Sequence, residues 1–355
     1  MMILVEFQKG SNRVFNDIPP EINSSRWNQL CNIGLITNRI RLIHSGAMHY
    51  LDYSGLDQEL KIRIVKANFS SCYENSSRLK FKRDPSTDQR KDIGLLMGTA
   101  IGVESILSSS DIIKPANLNK IRHINSSKIA DFQVIGPGLN QITFEVKGRQ
   151  NASIEMVRNS CVEQLATYPR PKYSFITKIK YNEQSACTCF IDDPEQDFTK
   201  SDERTSIVNA LRYYSSCMNW AGFYQLAERL YYRSIEIEKE ANQGYLAFNR
   251  KGLDSQLVRK IGVEIDIFKI INQDFGVKLR TFIPKSTQFD DRGMVITDSY
   301  RIGFFVTQRL IETLIEQDFQ NILGFKEDEI TYEEGNMSFD LRQDGTVLSI
   351  ENFRV

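Results

Sequence analysis

Ile129-Ala-Asp-Phe-Gln-Val-Ile-Gly-Pro-Gly-Leu-Asn-Gln-Ile-Thr-Phe-Glu-Val-Lys147 decides how this chain is read. Two alternating runs flank a Gly- and Pro-bearing break, the pattern of a β-hairpin. Side chains alternate faces along a strand, and directly opposed residues of an antiparallel pair share a face. A three-residue loop at Pro137-Gly-Leu139 sets Gly136 against Asn140, and therefore Asp131 against Glu145. Lys147 then lies diagonal to Asp131. Ala130, Phe132, Val134, Ile142, Phe144 and Val146 fall on the opposite face, and all are apolar. A slip of one residue would exchange the two sets, so the pattern specifies its own register.

Like charges directly opposed in a sheet destabilise it, so something must offset Asp131 against Glu145. A divalent cation does so, because Mg²⁺ or Mn²⁺ favours carboxylate oxygens and water. A cation held there polarises a phosphate and acidifies a water, while Lys147 orients that water or neutralises charge developing on phosphorus. The sequence pattern serves equally for a solvent-facing cluster in which Lys147 screens both acids.

Around the hairpin, residues 1–90 hold short strands and turns, with Lys61–Lys66 read as extended. Residues 84–92 are polar turn sequence, and Ile93–Leu107 follows as an apolar, small-residue-rich helix. Glu104 shares that helix's stripe with Met97, Ala100 and Ile101, where a carboxylate must be paired or bound to metal. A short strand is expected at Ile121–Ile124. The spacing of Ile154, Val157, Cys161, Leu165 and Tyr168 predicts a helix over 152–168 that sets Gln164 and Tyr168 one turn apart, stopped by Pro169 and Pro171. Strands follow at Tyr173–Lys180 and Ala186–Ile191. A linker near Asp192 leads to helices at about 207–218 and 223–240, a strand at Arg301–Val306, a helix ending near Gln317, and a meander from Ile330 to Phe353 turned at Gly335 and Asp344-Gly345. The aromatic run Tyr213, Tyr214, Trp220, Phe223, Tyr224, Tyr231 and Tyr232 reads as helix core or as a stacking platform.

The order of these residues resembles the PD-(D/E)XK nuclease superfamily, the restriction-endonuclease-like fold. The resemblance runs from about Ile93 to Lys180. It rests on the acidic helix residue Glu104, the Asp131 strand, the Glu145-Val-Lys147 strand, and a Gln164-x-x-x-Tyr168 helix like that of the RecB-type branch. Ala130 stands where the family's proline precedes the aspartate, and the RecB-type histidine is not evident. The resemblance implies an α+β protein with an αβββαβ core over 91–195, an N-terminal extension over 1–90, and an α+β region for substrate choice or assembly over 200–355. It implies Asp131, Glu145 and the Val146 carbonyl as ligands of Mg²⁺ or Mn²⁺, Lys147 as the catalytic lysine, Glu104 as an auxiliary acid, and Gln164 and Tyr168 as contacts near the scissile strand. The activity implied is phosphodiester hydrolysis of DNA in preference to RNA, in restriction or phage defence.

Composition is compatible with that reading. The chain has 355 residues, with 45 basic and 45 acidic side chains, so a nucleic acid must be met by local patches. Candidates are Lys80, Lys82 and Arg83 before the first core helix, and Arg149 beside the acids, with Arg158, Arg170 and Lys172 flanking. The Gly148-Arg149 step suits a backbone that approaches phosphate closely. The six cysteines show no C-x-x-C spacing, which argues against a zinc cage or a disulfide framework. No run of eighteen apolar residues and no signal h-region is found, so a cytoplasmic protein without a membrane partner is expected. No phosphate-cradling Gly-Lys-Ser/Thr loop occurs, so ATP-driven unwinding would require a separate ATPase or helicase; a homodimer suits double-strand cleavage. Two other classes stay open: a nucleic-acid-binding or scaffold protein that keeps the fold without cleaving, and a protein-interaction module docking through its charged hairpin.

Overall fold

The computed structural model describes residues 2–10, 23–49, 64–65, 67–69, 79–81, 86–112, 114–117, 131–135, 141–149, 152–168, 172–181, 183–192, 202–239, 264–267, 277–282, 295–296, 300–316 and 318–352. The chain is a mixed α/β protein of two compact units, Met1–Ser201 and Asp202–Val355.

The first unit is built on one sheet ordered β2-β1-β7-β6-β5-β4-β3. Its strands are β1 (Met2–Lys9), β2 (Leu35–Asn38), β3 (Ala116–Asn117), β4 (Phe132–Ile135), β5 (Gln141–Arg149), β6 (Lys172–Lys178) and β7 (Ala186–Asp192). Four described helices accompany them: α1 (Ser24–Ile33), α2 (Arg39–His49), α3 (Thr87–Ser109) and α4 (Ile154–Leu165). β3, β4 and β5 pair antiparallel in succession. β5 then pairs parallel with β6, and α4 supplies the crossover that a parallel pair requires.

Within the expected N-terminal extension, β1 and β2 are strands of this same sheet. Glu6–Lys9 pair parallel with Ala186–Cys189, and Ile3, Val5 and Phe7 are buried in alternation along β1. That period of two buries one face of β1, and its pairing with β2 and β7 makes it an interior strand. The extended reading of Lys61–Lys66 is also corrected, since Ile64 and Val65 are helical. The strand expected at Ile121–Ile124 lies outside the described residues; Ala116–Asn117 pairs with β4 instead.

Helix α3 begins at Thr87, six residues before the apolar run, because Ser86 and Gln89 form a capping box. The Ser86 hydroxyl accepts from the Gln89 N–H while the Gln89 side chain accepts from the Ser86 N–H. Polar sequence that reads as a turn is thus the first turn of the helix. At the other extreme, α4 stops at Leu165 and Tyr168 lies in the turn beyond it. Tyr168 precedes Pro169, and the residue before a proline is disfavoured in the α region.

α3 and α4 cover opposite faces of the sheet. A Cβ added at Gly98 or Gly102 would meet Gly148 or the Val146 side chain, so α3 lies on the face of the even-numbered β5 residues. α4 packs Val157 and Cys161 against Ile176 and Phe190, and Ile176 is paired with Lys147, which puts α4 over the odd-numbered residues.

The second unit carries an antiparallel sheet ordered β12-β13-β14-β11-β9-β8, with β10 also on β11. Its strands are β8 (Glu264–Ile267), β9 (Leu279–Phe282), β10 (Val295–Ile296), β11 (Tyr300–Thr307), β12 (Ile330–Glu334), β13 (Met337–Leu341) and β14 (Thr346–Asn352). The helices are α5 (Glu203–Trp220), α6 (Tyr224–Lys239), α7 (Gln308–Glu316) and α8 (Phe319–Gly324). The meander turns at Gly335 and Gly345, both at positive φ, where a residue without Cβ is favoured. Of the aromatic run, Tyr213, Tyr214, Trp220 and Phe223 are core, whereas Tyr224 and Tyr232 are exposed. No helix among the described residues is long and apolar enough to cross a membrane.

Candidate functional site

The hairpin has the register its sequence demands. Phe132 pairs with Phe144 and Val134 with Ile142, and their apolar side chains are buried beneath α3. The two phenyl rings stack at 4.8 Å between centroids. Continuing the register by one residue sets Asp131 opposite Glu145, at the point where β4 begins.

The opposite face differs from expectation, because it is covered rather than solvent-facing. Gln133, Thr143 and Glu145 are buried, and Glu145 is 0 % exposed. Asp131 and Lys147 reach the rim, with side chains 21 % and 13 % exposed. Lys147 forms an ion pair with Glu145 Oε1 and lies 3.4 Å from Asp131 Oδ2. The main chain completes the network: the Asp131 N–H donates to Glu145 Oε2 at 2.8 Å, and the Val146 N–H donates to Asp131 Oδ2 at 3.0 Å.

The electrostatics follow from this burial. Desolvation, then the neighbouring Asp131 charge, raise the Glu145 carboxyl from 4.5 to about 8 against the opposing pull of Lys147. For Lys147, burial acts to strip the proton, but Asp131 and Glu145 together outweigh it and hold the ammonium above its ordinary range. Burial thus holds the Glu145 proton more tightly than an ordinary carboxyl does, while the two acidic neighbours hold the Lys147 ammonium.

The other expected site residues divide. Gln164 lies on α4 one turn beyond Cys161, whose sulfur is among the groups that act on the Lys147 charge. Its Oε1 is buried without a hydrogen-bond partner. Tyr168 does not share a helical face with it, because α4 has already ended. Glu104 is 2 % exposed, as its stripe implied, and it is paired. Arg41 Nε lies 3.2 Å from Glu104 Oε2, and the Ser45 hydroxyl donates to Oε1 at 2.5 Å. Both partners belong to α2. Glu104 thus joins two helices on the far side of the sheet from Asp131 and Glu145. Among the described residues no group of three His, Cys, Asp or Glu side chains is arranged to hold a metal.

The basic candidates fare unevenly. Arg149 is half-buried, and its guanidinium donates to the Gly148 carbonyl at 2.8 Å. Lys80 is half-buried as well, and Lys82, Arg83 and Arg170 lie outside the described residues. Lys172 is buried, with its ammonium donating to the Ala166 carbonyl at 3.1 Å beyond the end of α4. Arg158 lies over the Phe190 ring at 4.7 Å. Gly148 has a packing reason that sequence reading missed. A Cβ there would overlap Gly94 O and Gly98 Cα, so the glycine admits α3 rather than a phosphate. The signal was present in the four-residue spacing of Gly94, Gly98 and Gly102, which marks a helix face made for close approach.

No family model, no curated protein and no solved structure matches this chain.

Proposed function

We propose that this chain is a Mg²⁺-dependent nuclease that hydrolyses phosphodiester bonds, with DNA preferred over RNA, and that its first unit is a PD-(D/E)XK-type core. The observation that carries the reading is Asp131 against Glu145 at the opening of the β4–β5 pair, with Lys147 bridging both carboxylates. The surrounding order supports it. α3, three antiparallel strands, α4 and a fourth strand parallel to the third reproduce the αβββαβ sequence of elements that the resemblance implies.

The donor set suits a hard divalent cation. Asp131 and Glu145 offer carboxylate oxygens, and Glu145 is fully buried with an acidity suppressed by desolvation and by Asp131, a cost that a cation would relieve. Val146 directs its N–H toward Asp131. By the resemblance, the Val146 carbonyl would be a third ligand of such an ion. When bound, the cation supplies Lewis acidity to a phosphate oxygen and lowers the pKa of a water.

The chain's own groups do the rest. Glu145 would hold the cation in its deprotonated form, which burial and the Asp131 charge otherwise disfavour. Asp131, anchored by the Val146 N–H, keeps its carboxylate oriented. Lys147 holds its proton at a fixed position beside both acids and stabilises negative charge growing on the phosphoryl oxygens. Gln164 stands on α4, the helix over the face that carries Lys147, and the resemblance gives it a contact near the scissile strand.

The test is cleavage of plasmid and linear DNA, and of RNA, by wild-type protein with Mg²⁺, with EDTA, and by Lys147→Ala. Cutting that persists in a well-purified Lys147→Ala protein removes the assignment. The ion pair between Lys147 and the fully buried Glu145 favours a second reading, in which the fold binds nucleic acid or a partner without hydrolysis. Salt-sensitive binding of DNA with no metal-dependent turnover would select it. Action in restriction or phage defence, a homodimeric assembly and a separate ATPase partner belong to the proposal as analogy alone.

A further inference from the structure

We infer that Gly98 and Gly148 are positioning residues for Lys147: the glycine face of α3 seats the back of β5 and so sets where the lysine emerges on the front. The inference rests on the nuclease reading for its consequence in catalysis and on packing alone for its geometry.

A Cβ at Gly98 would stand under 3.0 Å from both Cα and N of Gly148, and 3.1 Å from the Lys147 carbonyl carbon. Every one of those atoms is backbone, so no side chain can swing away to admit it. From the other side, a Cβ at Gly148 would fall under 3.0 Å from Gly94 O, Gly94 C and Gly98 Cα. Helix and strand therefore meet backbone to backbone at the residue that follows Lys147. One turn further along the helix, a Cβ at Gly102 would collide with the Val146 side chain. The strand that bears Glu145, Val146 and Lys147 is seated at consecutive points along α3.

Arg41 and Ser45 of α2 hold Glu104 on the same helix, and β4 and β6 hold β5 in the sheet, so a group inserted at position 98 must be met by a shift between α3 and β5. On the front, Asp131 is tied to β5 by the Val146 N–H and by its own N–H to Glu145, so it travels with the strand. What changes is the distance of the whole group from α4, which carries Cys161 and Gln164. A misplacement of about 1 Å at reacting groups costs on the order of 10²-fold in rate.

Gly94 supplies the control. A Cβ there lies 3.7 Å from Gly148 O, an ordinary contact, so Gly94→Ala is admitted without movement. Gly98→Ala, Gly94→Ala and wild-type protein are compared at a temperature where each is folded by circular dichroism. Two quantities are read: kcat and KM on DNA with Mg²⁺, and the Lys147 side-chain resonance in metal-free, lysine-labelled protein, assigned with Lys147→Arg. The expected result is a loss of about 10²-fold in kcat with KM nearly unchanged for Gly98→Ala, a displaced Lys147 resonance in that variant alone, and wild-type values for Gly94→Ala. Should Gly98→Ala not fold, Gly102→Ala replaces it, since a Cβ there presses on the buried Val146 side chain, and through it on β5, without overlapping backbone. A folded variant whose Lys147 resonance and kcat both match wild type overturns the positioning role. If wild-type protein never cleaves while the resonance still moves in Gly98→Ala, the positioning stands and the nuclease reading falls.

Discussion

Asp131 and Glu145 are joined rather than merely opposed: the Asp131 N–H donates to Glu145 Oε2 at 2.8 Å, while Asp131 Oδ2 takes the N–H of Val146. Each acid is thereby oriented by the other's strand. Side-chain repulsion is offset by main-chain donors and by one lysine, which hold the three groups in one arrangement.

That relationship predicts how Asp131→Asn behaves. The amide oxygen can keep the Val146 N–H, and removing the charge relieves Glu145, so metal-free stability should change by no more than about 1 kcal/mol. Thermal stabilisation by Mn²⁺ should vanish. Melting curves with and without Mn²⁺ measure both, and a large metal-free loss would show that the Asp131–Lys147 pair is chiefly structural.

Lys147→Ala should act differently. It leaves a fully buried carboxylate without its cation, for which breaking a buried pair costs roughly 3 to 5 kcal/mol. Glu145 can escape that cost by taking a proton, so the loss should be largest near pH 9 and shrink in acid. Urea denaturation at both pH values checks this, and an equal loss at each would contradict the assignment.

The raised pKa of Glu145 carries a signed dependence on pH. Its folded value of about 8 exceeds the ordinary 4.5, so the folded state holds the proton more tightly. The associated stability is complete below about pH 4.5 and is lost as pH climbs through 8. Lys147 keeps its proton across this window and adds no slope. Glu145→Gln should flatten the decline between about pH 5 and 8. In the same window Mn²⁺ entry should release a proton from Glu145, visible as a buffer-dependent heat in calorimetry.

Glu104→Gln tests a displaced expectation. Glu104 is bonded to Arg41 and Ser45 on the far side of the sheet, so the substitution should cost about 3 kcal/mol by weakening a buried pair and leave Mn²⁺ affinity unchanged. A loss of Mn²⁺ affinity at unchanged stability would return Glu104 to the ion.

Alternation determined which face each hairpin residue takes, and the short loop at 137–139 then set the register that brings Asp131, Glu145 and Lys147 together, because a strand has only two faces and one face here is entirely apolar. The meander turns at Gly335 and Gly345 were equally legible, since positive φ selects glycine locally. Tertiary structure decided everything that depends on what covers an element. Burial of the charged face beneath α4 raises the Glu145 carboxyl well above its ordinary range, and no strand pattern specifies which helix will lie over it. The pairing of β1 with β7 joins residues about 180 positions apart in sequence, a long-range choice that local propensity does not encode. Glu104 was correctly read as buried and in need of a partner, but only packing chose Arg41 over a metal. Gly148 is the clearest case: its freedom from a Cβ is written in the chain, whereas the reason for it is a helix arriving from the other side of the sheet.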